Sequence, residues 1–155
     1  MKTTILAILF TITVNASGFS QKTPGVFNAV THNDSITLAM CLNAGLKVNT
    51  ATASGKTLLM EASRNGSHAA ARLLLAHGAK VNARDGMGNT ALIEASLRGD
   101  ETMVALLLHA GASAAIINRA GETALTIAES LENTGIARLI SGKEGDSRNQ
   151  YVNLR

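Results

Sequence analysis

The stretch Val81-Asn-Ala-Arg-Asp-Gly-Met-Gly-Asn-Thr-Ala-Leu-Ile-Glu-Ala95 passes from a polar turn punctuated by glycine into a run rich in alanine and leucine, with Thr90 at the change-over. A threonine in that place can cap the first turn of a helix with its side-chain oxygen. The same order of residues recurs at one fixed distance. Gly55 to Gly88 is 33 residues, as are Thr57 to Thr90, Leu59 to Leu92, Glu61 to Glu94 and Ala62 to Ala95. A further 33 residues lead to Gly121, Thr123, Leu125 and Ala128. Copies in register without a gap predict a repeat array, in which each unit completes its core only against the next.

The frame extends back to Lys22. Pro24, Thr57, Thr90 and Thr123 occupy equivalent positions, and all of them suit the start of a helix. Ala29, Ala62, Ala95 and Ala128 follow, small enough to let neighbouring first helices approach closely. Asp34, Ser67, Asp100 and Asn133 are preferred N-caps and predict a second helix in every unit. Its buried stripe is expected at Ile36, Met40 and Cys41, then Ala70, Leu73 and Leu74, then Met103, Leu106 and Leu107, and finally Ile136, Leu139 and Ile140. Gly45, Gly78 and Gly111 stop that helix. The expected unit is helix, short turn, helix and a polar loop of about ten residues.

These features resemble ankyrin repeats. The resemblance covers Lys22 to about Gly142 and is carried by Gly55-Lys-Thr-Leu-Leu-Met-Glu-Ala-Ser-Arg-Asn-Gly66, Leu73-Leu-Leu-Ala-His-Gly-Ala-Lys-Val-Asn-Ala-Arg-Asp85, Gly88-Asn-Thr-Ala-Leu-Ile-Glu-Ala-Ser-Leu-Arg-Gly99 and Leu106-Leu-Leu-His-Ala-Gly-Ala112. It implies an all-α ankyrin-repeat solenoid of stacked helix-turn-helix units joined by loops or β-hairpins, spanning residues 21–142, with units at 22–54, 55–87, 88–120 and 121–142. The family's usual Thr-Pro-Leu-His is altered here. Leu58, Ala91 and Ala124 replace its proline, and Met60, Ile93 and Thr126 replace its histidine, so weaker stapling between units is expected. The end copies are more polar, as solenoid caps need to be. Glu132 stands where Gly66 and Gly99 stand, and residues 143–155 read as a frayed tail in which only Tyr151 is suited to docking.

A chain of 155 residues suits one domain. Aromatic residues make up only 3%, so the core must be built from small, close-packed helices rather than around rings. Met1 to about Ser20 reads as an export signal: Lys2 supplies the positive start, Ile5 to Val14 the apolar run, and Ala16, Gly18 and Ser20 the small residues for cleavage. That run is about half of the 20 residues a bilayer span requires. A periplasmic or secreted protein, bacterial in style, is therefore expected. With 14 basic and 11 acidic residues the chain carries +3, and loss of Lys2 leaves 13 against 11, too even a balance for a nucleic-acid footprint. The single Cys41 excludes an internal disulfide.

Motifs for chemistry mostly dissolve into the frame. Gly55-Lys56-Thr57 looks like the end of a phosphate loop, but Thr50 occupies the position where such a loop needs its first glycine. His32, His68, His77 and His109 include no pair at i, i+4, so they do not read as metal ligands. Cys41 lies between Met40 and Leu42, without the basic setting of a reactive thiol. Glu61 and Glu94 repeat one unit apart and resemble an acid/base pair. Local ion pairs to Arg64 and Arg98, one turn on, are the expected use of both. No enzyme activity and no cofactor are expected.

What remains is a binding surface. Positions the scaffold does not dictate are Thr31, His32, Arg64, Asn65, Leu97, Arg98, Ser130 and Leu131 on the first helices, and Arg84, Asp85, Met87 and Arg119 at the loop tips. In ankyrin proteins such positions carry partner contacts, lined up by stacking into a concave groove. The expected partner of this monomer is another exported or envelope protein that offers carboxylates to the arginines. A protective or immunity-type factor, inhibiting or shielding one enzyme of the same compartment, is the alternative.

Overall fold

The computed structural model describes residues 23–142, with side chains from Gly25 onward. The expected signal segment 1–20 and tail 143–155 lie outside the described residues. Within them are α1 (Thr23–Thr31), α2 (Ser35–Asn43), α3 (Leu58–Asn65), α4 (His68–Ala76), α5 (Ala91–Arg98), α6 (Glu101–His109), α7 (Ala124–Ser130) and α8 (134–142). The expected caps set most of these boundaries. Thr57, Thr90 and Thr123 accept the N–H of Met60, Ile93 and Thr126 at 3.3, 3.3 and 3.1 Å. Asp34, Asp100 and Asn133 do the same for Thr37, Met103 and Ile136 at 3.0, 2.9 and 3.1 Å. Ser67 departs from the pattern: its hydroxyl makes no cap bond and donates instead to the Thr31 carbonyl of the preceding unit, 3.4 Å away.

The first helices α1, α3, α5 and α7 pack in a row, and α2, α4 and α6 form a second row behind them. Leu58, Met60, Leu74, Leu92, Ile93, Met103, Leu107, Ile136 and Ile140 fill the space between units and are fully buried. Each such side chain contributes about 1.5–3 kcal/mol on leaving water. This is an all-α repeat solenoid. Its connections take the loop form: the described residues contain no strand, only an isolated bridge from Ala51 to Thr57.

The stripe expected on α2 is wrong in the first unit. Ile36 and Met40 are 75% and 61% exposed, and Leu38 and Leu42 are buried instead. Ala70, Leu74, Met103 and Leu107 are buried in the later units at the positions equivalent to Thr37 and Cys41. The first unit packs against no preceding unit among the described residues, so Thr37 stays in water and Cys41 is only half covered. Leu139 in the last unit is also exposed, at 36%.

Turns of successive units are stitched by backbone and amide groups. Gly86 N–H donates to the Ser54 carbonyl at 2.7 Å, and one unit on Arg119 N–H donates to that of Met87 at 2.9 Å. A Cβ on Gly86 would lie 2.9 Å from the Ser54 oxygen, so glycine suits this shorter approach, whereas Arg119 makes the longer one with a side chain. Asn49 Oδ1 accepts Lys80 N–H at 2.8 Å, and 33 residues on Asn82 Oδ1 accepts Ser113 N–H at 2.8 Å. These bonds link successive turns without the histidine of the usual tetrapeptide. Met60 Sδ and Thr126 Oγ1 meanwhile receive the N–H of the capping Thr57 and Thr123 at 3.4 and 2.8 Å.

One junction has an ionic stitch. His68 Nε2 lies 3.0 and 2.8 Å from the two oxygens of Asp100, the cap of the next unit's second helix, and Arg98 Nε is 3.7 Å from the same carboxylate. Burial pushes the Asp100 carboxyl up. The Met103 N–H, His68 and Arg98 together outweigh that and hold it below its ordinary value of 3.8.

The turn between paired helices needs a left-handed residue. Gly66 and Gly99 supply it at φ 71° and 77°, while Asn33 and Glu132 occupy the same position at 54° and 55° in the end units. An L-residue there costs about 1–2 kcal/mol, less for asparagine. Glu132→Gly is expected to stabilise the fold by about 1 kcal/mol, read as a raised urea midpoint at unchanged slope. Asp100→Asn keeps the cap oxygen and removes the charge. A lowered carboxylate pKa contributes stability above its unfolded value and loses it as pH falls through the folded one. The wild-type advantage over Asp100→Asn should therefore be full above the ordinary carboxylate range and be lost as pH falls through the lowered folded value, read in urea titrations at a series of pH values.

Candidate partner-binding cleft

The loop before α5 is shaped by Asp85. Its Oδ1 accepts the N–H groups of Met87 and Asn89 at 2.9 and 2.8 Å, an Asx turn that leaves Met87 63% exposed. Asn118 builds the equivalent turn one unit on, accepting from Ala120 and Glu122 at 2.9 Å each. Threonine, aspartate and asparagine at positions 52, 85 and 118 are thus turn builders. In the first loop Thr52 Oγ1 accepts Lys56 N–H at 3.1 Å.

Where this loop meets α3 and α5 lies a cleft of about 470 Å³ lined by Lys56, Arg64, Asp85, Met87, Asn89, Glu94, Leu97 and Arg98. Five residues expected from sequence come together here: Arg64, Asp85, Met87, Leu97 and Arg98. Thr31 and His32 lie one unit before it, and Ser130 and Leu131 one unit after. Thr31 Oγ1 and His32 Nδ1 each bond a carbonyl of α1, at 2.8 and 2.9 Å. Asn65 Nδ2 donates to both the carbonyl and the carboxylate of Glu61 at 2.8 Å, so it closes its own helix. Arg84 donates to the Ile117 carbonyl of the next loop at 2.8 Å, and Arg119 stands exposed at that loop's tip.

Lys56, Asn89 and Glu94 were not among the expected residues. Lys56 Nζ lies 3.1 Å from Glu94 Oε1, with 16% and 6% of the two side chains exposed. This corrects the expected local pairing of Glu94 with Arg98, and the Glu61 carboxylate accepts from Asn65 rather than pairing with Arg64. The partner of Glu94 comes from the preceding unit, because stacking brings the residue after the turn glycine over the next first helix. The same contact explains the lysine of Gly55-Lys56-Thr57: Gly55 is a turn glycine at φ 81°, and Thr57 is a cap. A lysine and a glutamate 38 positions apart in a 33-residue frame was the available signal.

The charges of the cleft are unevenly committed. Lys56 and Glu94 neutralise each other, Asp85 is spent on its turn, and Arg98 donates to the Arg64 carbonyl at 3.2 Å while facing Asp100. A Cβ on Gly66 would lie 2.6 Å from Arg98 Nε, so that guanidinium is laid flat over the turn. The guanidinium of Arg64 is exposed and has no bond among the described residues, and Met87 and Leu97, 63% and 49% exposed, stand in the same cleft. Such an arrangement can take a carboxylate next to apolar groups. Among the described residues no group of three or more His, Cys, Asp or Glu is placed to hold a metal ion, and no helix is long and apolar enough to cross a membrane.

A family model described as ankyrin repeats (3 copies) matches residues 26–118, more than half of the chain. No curated protein matches it. Ankyrin repeats are generally protein–protein interaction modules and typically non-enzymatic. With the stacked caps, the αL turns and the 33-residue frame in agreement with that match, the chain belongs to the ankyrin-repeat family.

Proposed function

We propose that the protein is a non-enzymatic binding module whose cleft between α3, α5 and the Asp85 turn holds a segment of another exported or envelope protein. The segment presents a carboxylate flanked by apolar side chains. One observation carries this reading: Arg64 is the cation of the cleft that the scaffold does not use, and it stands with exposed Met87 and Leu97. Arginine offers a carboxylate two parallel hydrogen bonds, and apolar neighbours exclude the water that would compete for them. No aromatic anchor lines the cleft, which favours a modest affinity with steering by charge. Export rests on the N-terminal pattern of Lys2, the Ile5–Val14 run and the small residues after it.

A photo-crosslinking residue at Leu97, used in the native envelope, is expected to trap one protein, and Arg64→Glu should weaken its capture at least tenfold. Arg64 suits this test better than Arg98, whose reversal would also break the stack. Undiminished capture by Arg64→Glu would remove the cleft assignment. If the trapped protein is an enzyme whose turnover changes at one-to-one stoichiometry, the protective role is selected over scaffolding. Export has its own readout. Intact-mass measurement on the envelope or medium fraction should give a chain beginning shortly after Ala16, Gly18 or Ser20, and recovery of only the full-length chain from cytoplasm would refute it.

A further inference from the structure

The misplaced stripe of the first unit leaves a second surface, which shares no residue with the cleft. Ile36 and Met40 of α2, 75% and 61% exposed, face a groove of about 720 Å³ completed by Ala39 and by Ala69, Arg72 and Leu73 of α4. The scaffold does not ask for this. Equivalent to Ile36, the later units carry Ala69, Thr102 and Gly135, so a large apolar residue at that position has no packing role. Arg72 is exposed and has no bond among the described residues. The surface is therefore apolar at its centre with an uncommitted cation at its rim.

Size and charge decide the occupant. A stable dimer buries about 800 Å² and 20–30 residues on each partner, and the eight residues lining this groove fall well short of that. The groove runs between two neighbouring second helices, and α2 has 9 residues, or about 13 Å. Its length and shape match a ridge of apolar side chains on one helix of two to three turns. We infer that the α2–α4 groove docks an amphipathic helix of a partner protein, with apolar residues at i, i+3, i+4 and i+7 and a glutamate or aspartate directed at Arg72.

The test uses a fluorescein-labelled 14-residue peptide with leucine at those four positions, glutamate on the flanking positions and alanine elsewhere. Saturable anisotropy is expected at about 10–100 μM. Ile36→Asp and Arg72→Glu should each weaken binding about tenfold, Ile36→Thr should weaken it without touching an exposed site's stability, and Arg64→Glu should leave it unchanged. Unchanged binding in Arg64→Glu keeps this result separate from the cleft. The inference is overturned by absence of saturable binding, by equal binding of a peptide with lysine in place of glutamate, or by indifference to Ile36→Asp. It is also overturned if sedimentation shows a dimer that Ile36→Asp dissociates, since a second copy would then be the occupant.

Discussion

Consecutive turns of this protein come close enough for the amide of one to bond the carbonyl of the last, and the rest of the molecule follows from that approach. Gly86 to Ser54 and Arg119 to Met87 repeat the same bond one unit apart. A bond of this length tolerates no drift in the number of residues between turns, so the 33-residue spacing is a geometric requirement rather than a habit of the chain. It also fixes which side chains meet across a junction. Lys56 falls over Glu94, His68 over Asp100, and Arg98 over the end of α3, each pair formed by stacking alone.

The fold was legible because its punctuation is local. Thr57, Thr90 and Thr123 cap through atoms three residues away, and a sequence reader needs nothing else to place them. The pairing across units was less legible, because it depends on how far one helix slides over the next. Glu94 shows the difference. Arg98 one turn on is the economical partner within a helix, yet the structure pairs Glu94 with a lysine of the preceding unit. Periodicity on α2 misled for a related reason. Ile36, Met40 and Cys41 lie at helical spacing, but Ile36 and Met40 look into the outer groove between α2 and α4, and Cys41 lies where no unit packs against α2 among the described residues.

The candidate site was half legible. Comparing units with one another found Arg64, Met87, Leu97 and Arg98, because the scaffold does not dictate those positions. It could not separate a residue left free for a partner from one consumed by its neighbours. Asp85 and Asn65 vary between units and still have structural tasks, one holding a turn and the other closing a helix. Arg64 and Arg98 look alike in sequence, but only the folded stack lays Arg98 across Gly66 and leaves Arg64 unheld.

The cleft sits at the junction with the most stitches, and this placement has a thermodynamic reason. In a solenoid the stability is a sum of units and of the contacts between neighbours, so ends open more easily than the middle. The second and third units share the Lys56–Glu94 pair, the His68–Asp100 pair and the Asn82 bond to Ser113, whereas Ile127, Ile136 and Ile140 carry the last unit as buried apolar contacts. Ordering a surface at the moment of binding costs about 0.5–1.5 kcal/mol for each side chain immobilised. Here the backbone of both walls is held across two units, so that cost falls mainly on the exposed side chains Arg64, Met87 and Leu97. A shallow cleft without aromatic anchors gains proportionally more from such stiffness than a deep one, since it has less burial with which to offset disorder. The stitched junction and the modest site thus belong together: bonds that keep adjacent turns in register also fix the backbone positions from which Met87 and Leu97 project, beside the one guanidinium of the cleft that the stack leaves unbonded.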